Sequence, residues 1–144
     1  MARTTIEVDA APDAVWRVLA EASAYADWVV GTKGISRADA AWPRPGSALE
    51  YELGVGPISV GDRTVVLEAE EPRLLLLRTE LKRLGAATIR IELEPLDGRT
   101  LIVMDEEPVA GMLETMHTRV SDAALDRRNQ IALGRLKRLV ETRP

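Results

Sequence analysis

The middle of the chain, from about residue 49 to residue 107, alternates between apolar and polar residues with a period of two. Leu49, Tyr51 and Leu53 are separated by Glu50 and Glu52. Because successive side chains of a strand point to opposite faces, this pattern predicts strands with one buried and one solvated face. Strands are expected over residues 49–55, 58–70, 74–81, 89–94 and 100–107.

Turn residues divide this region. Asp97 and Gly98 form a hairpin turn signal between the last two strands, and residues 54–57 (Gly-Val-Gly-Pro) indicate an earlier turn. Gly61 is expected to bend or bulge its strand, and Pro108 is expected to end the last one.

Helical signals flank the alternating region. A short strand over residues 4–8 precedes Pro12, which suits a first helical turn, and a second short helix is expected around residues 24–28. Residues 110–120 are ambiguous. A long helix is expected over residues 121–141, with Ser121 and Asp122 supplying its cap and acidic first turn. One amphipathic helix against about six to seven antiparallel strands predicts an α+β fold, and 144 residues predict a single domain over 1–144.

The apolar stripe of the long helix contains a polar residue. At about 100° per residue, Leu125, Ala132 and Leu136 fall on one face together with Asn129, and Arg128 lies on its edge. A buried polar side chain costs stability unless it finds a partner. Either Asn129 makes a structural hydrogen bond, or the helix covers a cavity into which Asn129 reaches.

Composition excludes several classes of function. A net charge of −4 argues against a nucleic-acid partner, and the lack of cysteine excludes disulfides and thiolate ligands. No signal peptide or apolar run of membrane-spanning length is present, so a cytoplasmic location without membrane insertion is expected. His117 is the only histidine, and an exposed or capping role is favoured over metal binding. We expect no cofactor and no metal.

Particular residues, in this order of elements, carry a resemblance to a known family. They are Ala11-Pro12 with Val15-Trp16, Tyr25 with Trp28, residues 42–46 (Trp-Pro-Arg-Pro-Gly), residues 54–57, and Arg128-Asn129 with Leu133 and Leu136. The chain resembles the START-like superfamily, also labelled SRPBCC or polyketide cyclase/dehydrase, whose members share a helix-grip fold. The resemblance implies a curved sheet wrapped around the long helix, with a deep cavity between them.

The resemblance and the strand alternation together give the residues expected around this cavity. Strand alternation predicts Tyr51, Leu53, Val55, Leu77, Thr79, Leu81, Ile89, Ile91, Val103 and Asp105. Trp28, Met112 and Met116 are expected at the mouth, and Arg128, Asn129, Ala132, Leu133 and Leu136 on the helix. A mostly apolar wall with a few polar groups is typical of a small-molecule site.

Asp105 and Glu107 are the only candidates for catalysis, and they are weak ones. They share a strand face with Leu101 and Val103, whereas Glu106 shares the other face with apolar neighbours too. If Asp105 and Glu107 face the cavity, they could raise each other's pKa and act as general acid or base. The alternative is a solvated strand end or an ion pair with Arg128.

Three hypotheses of function follow. The first is a monomer or homodimer that binds a hydrophobic small molecule or lipid-like metabolite in the cavity, oriented by Asn129, Thr79, Tyr51 and Asp105. The second is an enzyme of the polyketide cyclase/dehydrase kind, which uses a cavity carboxylate. The third is a protein-interaction module that resembles co-chaperones or antitoxins, for which Ile131, on the polar side of the long helix, would mark a contact.

Overall fold

Seven antiparallel strands form one sheet in the order β1-β7-β6-β5-β4-β3-β2. The structure is a computed structural model, and it describes residues 2–55, 57–81, 85–111 and 119–143. The strands are β1 Ala2–Val8, β2 Thr32–Ala38, β3 Ala48–Val55, β4 Ile58–Glu70, β5 Leu74–Leu81, β6 Gly85–Leu96 and β7 Arg99–Ala110. From β2 to β7 each strand pairs with the next along the chain, and β1 then pairs with β7.

In the part of the chain that the structure describes, three α-helices cover one face of this sheet. They are α1 Pro12–Leu19, α2 Tyr25–Trp28 and α3 Arg119–Thr142, and a 3₁₀ turn over Ala22–Ala24 leads into α2. The two short helices after β1 and the long helix after β7 confirm the predicted α+β helix-grip arrangement. Because α3 begins at Arg119, the prediction that Ser121 caps its N-terminus is wrong. Among the described residues, no helix has the length and apolar composition needed to cross a membrane.

Turn chemistry explains the register of the β6–β7 hairpin. Asp97 and Gly98 both have positive φ, at 44° and 83°, and Leu96 pairs with Arg99. Two consecutive residues with positive φ give the type I′ geometry whose twist matches that of the strands. The predicted hairpin turn is therefore confirmed.

Two expectations about strand irregularities are wrong. The β3–β4 pairing runs unbroken past Gly61, and the irregularity of β4 lies between Val66 and Glu68, in its pairing with β5. Strand β7 also continues through Pro108 to Ala110. A register shift between Ala86 and Ala87 lies beside Pro108, and such an irregularity tolerates a residue that lacks a backbone donor.

The core lies between the sheet and the helices. Inner-face residues such as Leu77, Ile91 and Ile102 are almost fully buried, as are Leu133 and Leu136 of α3. Burial of each such side chain contributes about 1.5–3 kcal/mol. This apolar contact fixes the depth at which α3 lies, and hence which of its residues reach the sheet.

Polar contacts fasten α3 to β1 and the segment that follows it. Thr4 Oγ1 donates a hydrogen bond of 2.7 Å to Asp126, and Lys137 Nζ donates one of 2.9 Å to the carbonyl of Glu7. The backbone amide of Asp9 donates to Glu141 over 2.8 Å. These contacts position α3 along its whole length across the first strand.

Candidate functional site

An inner cavity lies where α2 and α3 face the sheet. Its volume is about 30 Å³, which is enough for one or a few water molecules. Its described lining is Tyr25, Trp28, Val29, Val30, Tyr51, Asp62, Leu77, Thr79, Ile89, Met104, Glu106, Arg128, Asn129 and Ala132. Seven of these fourteen residues are apolar and seven carry a polar or charged group, so the lining is more polar than the mostly apolar wall that the sequence predicts.

Two larger depressions, of about 740 and 690 Å³, open to solvent elsewhere. The first lies largely over charged residues of the outer sheet face, where Arg78 and Glu80 pair with each other at 3.5 Å. The second lies over Trp16, Trp42 and neighbouring prolines. Neither holds a buried polar side chain that lacks a partner, among those the structure describes. The chemistry is concentrated in the inner cavity.

A network of hydroxyl groups forms one wall of the cavity. The Tyr51 hydroxyl lies 2.6 Å from Thr64 Oγ1 and 3.3 Å from Thr79 Oγ1, and the Tyr25 hydroxyl lies 3.2 Å from those of both Tyr51 and Thr64. Thr79 Oγ1 donates to Asp62 Oδ2 over 3.1 Å. Burial raises the pKa of both tyrosines, so their hydroxyls stay neutral. The network holds this wall in one arrangement.

Asp62 is a buried carboxylate whose hydrogen bonds are satisfied. Its side chain accepts the backbone amide of Arg63 at 2.7 Å in addition to the Thr79 hydroxyl. Burial raises the pKa of Asp62, whereas interactions with Tyr51, the Arg63 amide, Thr79 and the charge of Arg128 offset part of this shift. With partners on its own strand and its neighbours, Asp62 has a structural role in the wall.

Glu106 and Asn129 face the same cavity and lie close enough to influence each other, but one polar atom of each lacks a hydrogen-bond partner. Glu106 is 5% exposed and Asn129 is 4% exposed. Within the described chain, neither Glu106 Oε1 nor Asn129 Nδ2 has a hydrogen-bond partner. Burial raises the pKa of Glu106, and the charge of Arg128 and the amide of Asn129 offset part of this effect. An unpaired buried polar group costs about 1–3 kcal/mol, so both atoms require a partner that enters the cavity.

Arg128 supplies a positive charge to the cavity. Its guanidinium donates a hydrogen bond of 3.3 Å to the carbonyl of Val30, in the segment that follows α2. Its charge offsets part of the rise that burial causes in the pKa values of Asp62 and Glu106. Arg128 therefore interacts electrostatically with two carboxyl groups. It lies at the edge of the apolar stripe of α3, as the sequence predicts.

The expected placement of Val103 and Asp105 at the cavity is wrong, and Glu107 lies on the same outer face, which agrees with the alternative of a solvated strand end. Strand β7 buries Thr100, Ile102, Met104 and Glu106, so the odd-numbered residues lie on the outer face. There Arg3 Nε and Nη2 donate to Asp105 Oδ1 and Oδ2 at 2.7 and 3.1 Å, and Glu107 is exposed. Both faces of β7 carry apolar residues, so alternation alone did not fix the phase of this strand. The acid at the cavity is Glu106.

The other expected cavity residues divide into three groups. The structure places at the cavity Trp28, Tyr51, Leu77, Thr79, Ile89, Arg128, Asn129 and Ala132. Four lie in or beside the core, away from the cavity lining, namely Leu53, Ile91, Leu133 and Leu136. The side chains of Val55 and Leu81, and residues Met112 and Met116, lie outside the described part of the chain, as does His117, for which an exposed or capping role is predicted. A role in binding stays a prediction for all of them except His117.

Six lining residues were missed by the sequence reading. They are Tyr25, Val29, Val30, Asp62, Met104 and Glu106. A signal existed for Asp62, since it shares the phase of Thr64 and Val66 in β4. Among the described residues, no three histidine, aspartate or glutamate side chains approach closely enough to hold a metal ion.

Comparison with known proteins agrees with this geometry. A sequence model of a family described as "Polyketide cyclase / dehydrase and lipid transport" matches residues 2–141. No curated protein matches the chain significantly in sequence.

Solved structures share the fold at low identity. A START superfamily protein from Mycobacterium smegmatis has a TM-score of 0.79 at 18% identity, over 97% of this chain and 96% of that one. The Zhui aromatase/cyclase from Streptomyces sp. R1128 has a TM-score of 0.77 at 18% identity, over 97% and 92%. DynU16, a protein from the dynemicin biosynthetic locus, has a TM-score of 0.74 at 20% identity, and the match covers 98% of this chain but 47% of DynU16. Similarity at this level concerns the fold.

Proposed function

Because the chain belongs to the polyketide cyclase/dehydrase and lipid transport family, we propose that it binds a hydrophobic small molecule in the inner cavity between the sheet and α3. Apolar contact with Trp28, Leu77 and Ile89 would provide affinity, at roughly 25 cal/mol per Å² of apolar surface buried. The polar residues of the cavity would orient the ligand.

The observation that carries this proposal is the pair of unpaired atoms, Glu106 Oε1 and Asn129 Nδ2. A polar residue with only a structural role would be expected to bond to its neighbours, as Asp62 does. These two atoms instead belong to residues that line the same enclosed space, whereas Thr32 Oγ1, the third buried polar atom without a partner in the described chain, lies outside that lining. A ligand with a polar group at this end of the cavity would remove the free-energy cost of burying them.

The size of the cavity sets a condition on binding. Room for a few water molecules does not accommodate a ligand of drug-like size, so the lining must yield when one enters. Met104 is suited to this, since an unbranched thioether side chain adapts to different shapes at little cost. Trp28 stacks edge-on against Tyr25, with ring centroids 5.5 Å apart, and would have to move together with it.

A fluorescent probe tests the proposal directly. N-phenyl-1-naphthylamine (NPN) is uncharged and fluoresces in apolar surroundings, and we expect saturable binding by the purified protein. Ala132→Phe would fill the cavity from α3 and abolish this signal. Ile131→Phe is the matched control, because Ile131 is the next residue of the helix and is 43% exposed. Loss of NPN binding in both variants, or in neither, would contradict a site in the cavity.

Native mass spectrometry gives an independent measurement. The protein purified from its own host is expected to carry a small molecule whose mass is lost in Ala132→Phe and retained in Ile131→Phe. Thermal melts of both variants show whether the protein still folds. A folded Ala132→Phe variant that keeps the same bound mass would rule out the cavity as the binding site.

Glu106 also supports a second candidate function, an enzyme of the cyclase/dehydrase kind. Its raised pKa favours a protonated carboxyl at higher pH than usual, and such a group can give or take a proton beside an apolar ligand. Glu106→Gln would then abolish turnover of a substrate that still binds. Turnover unchanged in this variant would eliminate Glu106 from the reaction.

A further inference from the structure

We infer that the inner cavity selects a ligand whose buried polar group is a neutral hydroxyl, and discriminates against the carboxylate head group of a fatty acid. This inference rests on the proposed function and specifies the class of ligand. It follows from which atoms lack partners and from the balance of charge around them.

The unpaired atoms form a complementary pair. Glu106 Oε1 is an acceptor when the carboxyl is ionised, and Asn129 Nδ2 is a donor. A hydroxyl group both donates and accepts, so a single hydroxyl between them could satisfy both atoms. A carboxylate only accepts, and beside an ionised Glu106 it would leave Oε1 facing another oxygen.

The charges around the cavity point in the same direction. Among the described lining residues, the ionisable acids are Asp62 and Glu106, and the single cation is Arg128. Arg128 already interacts electrostatically with both carboxyl groups and donates to the carbonyl of Val30. A ligand carboxylate would add a third acidic group to a buried site with one positive charge, at a large desolvation cost.

An ammonium group fits less well than a hydroxyl. It could donate to Glu106 Oε1, but it has no lone pair to accept from Asn129 Nδ2. The neutral hydroxyl is the group that leaves neither unpaired atom unsatisfied.

Three probes with one apolar body test the inference by isothermal titration calorimetry. At pH 7, 2-naphthol carries a neutral hydroxyl, 2-naphthoate a negative charge and 2-naphthylmethylammonium a positive one. We expect 2-naphthol to bind at least about tenfold more tightly than either charged probe, since an unpaired or repelled buried charge costs more than 1.4 kcal/mol. Equal or tighter binding of 2-naphthoate would overturn the inference, and so would a failure of 2-naphthol to bind a protein that binds NPN.

Variants of Glu106 assign the selectivity to this side chain. Glu106→Leu is expected to weaken 2-naphthol binding about five- to tenfold, because the ligand hydroxyl loses its hydrogen-bond acceptor. Glu106→Gln keeps an acceptor and removes the charge, and should narrow the preference for 2-naphthol over 2-naphthoate. Glu107→Gln is the matched control, since the adjacent acid is exposed on the outer face. An unchanged preference in Glu106→Gln would overturn the inference.

The outcomes separate this inference from the proposed function. If neither NPN nor 2-naphthol binds, or if Ala132→Phe leaves NPN binding unchanged, the proposed function fails, and the inference fails with it. If NPN binds and Ala132→Phe blocks this binding, while 2-naphthoate and 2-naphthol bind with equal affinity, the proposed function stands. Only the preference for a hydroxyl group then fails.

Discussion

The Tyr51 hydroxyl lies 2.6 Å from Thr64 Oγ1, and this contact joins two neighbouring strands inside the cavity wall. Tyr51 is also within hydrogen-bonding distance of Tyr25 and Thr79, so one phenol contacts α2, β4 and β5. Thr79 must donate to Asp62, which only accepts, and its lone pairs stay available to the Tyr51 hydroxyl. Tyr51 therefore contacts more of the other hydroxyl groups than any other member of the network does.

Removal of the Tyr51 hydroxyl should therefore destabilise the protein. Tyr51→Phe keeps the buried ring but leaves three hydroxyl partners short of a hydrogen bond, and we expect a loss of about 1–3 kcal/mol in the free energy of unfolding. Urea denaturation measures this loss. The control is Thr5→Val, at an exposed position of β1, which should change stability by less than about 0.5 kcal/mol. Equal effects of the two substitutions would show that the network does not stabilise the fold.

The pH dependence of stability should reveal the buried carboxyl of Glu106. Its pKa is raised in the folded protein, so the folded state holds this proton to higher pH than the unfolded chain does. Stability is then favoured below the unfolded pKa, near 4.3, and declines as pH rises from there through the folded pKa. Asp62, Arg128 and Asn129 face the same site, and the raised pKa of Asp62 contributes a decline of the same sign.

Glu106→Gln removes one part of this decline. Compared with the wild type, the variant should gain stability steadily as pH is raised from 4 to 8, as measured by urea denaturation at each pH. Glu107→Gln is the matched control, since the side chain of Glu107 is exposed on the outer face. A difference between wild type and Glu106→Gln that does not vary with pH would mean that Glu106 does not titrate abnormally.

Asp105 and Glu106 should behave differently in binding although they are adjacent. Asp105 pairs with Arg3 on the outer face, whereas Glu106 lines the cavity. Asp105→Asn should leave the affinities for NPN and 2-naphthol within about twofold of the wild type, because no atom of the cavity changes. Fluorescence titration of NPN and calorimetry of 2-naphthol check this. A large loss of affinity in Asp105→Asn would contradict the phase assigned to β7.

Two glycine substitutions should change the free energy of unfolding in opposite directions. Gly98 has φ of 83°, so Gly98→Ala forces alanine into a left-handed conformation and should cost about 1 kcal/mol. Gly134 lies inside α3, where an added methyl group meets nothing within 4 Å, so Gly134→Ala should stabilise by about 0.5–1 kcal/mol. Thermal denaturation of both variants measures this. Destabilisation by Gly134→Ala would indicate a closer packing of α3 than the structure shows.

The sequence predicted the fold well where local patterns were unambiguous. Strands β4 and β5 have the bounds that Pro72 and the alternating residues indicate, and the Asp97-Gly98 turn joins the strands it was expected to join. These features depend on neighbouring residues, which the chain itself brings together.

The site was harder to predict because it depends on distant contacts. Strand β7 has apolar residues on both faces, so its phase depends on which face the helices cover and on its register with β1 and β6. Asn129 was identified from the stripe of a single helix, whereas Glu106, its neighbour at the cavity, lay on the face of β7 that was not chosen. Periodicity locates a residue on its own element and does not show which element lies opposite.

The attachment of α3 to β1 also determines when a binding site can exist. Strand β1 pairs with β7, and their residues Arg3 and Asp105 are 102 positions apart in the sequence. Helix α3 follows all seven strands of the sheet in the sequence. Closure of so long a loop is slow compared with the formation of the hairpins between β2 and β7. Because Arg128 and Asn129 lie on α3 and Glu106 lies on β7, the cavity is complete only once α3 has packed against the sheet. A chain whose α3 is detached has no binding site and exposes the apolar inner face of the sheet.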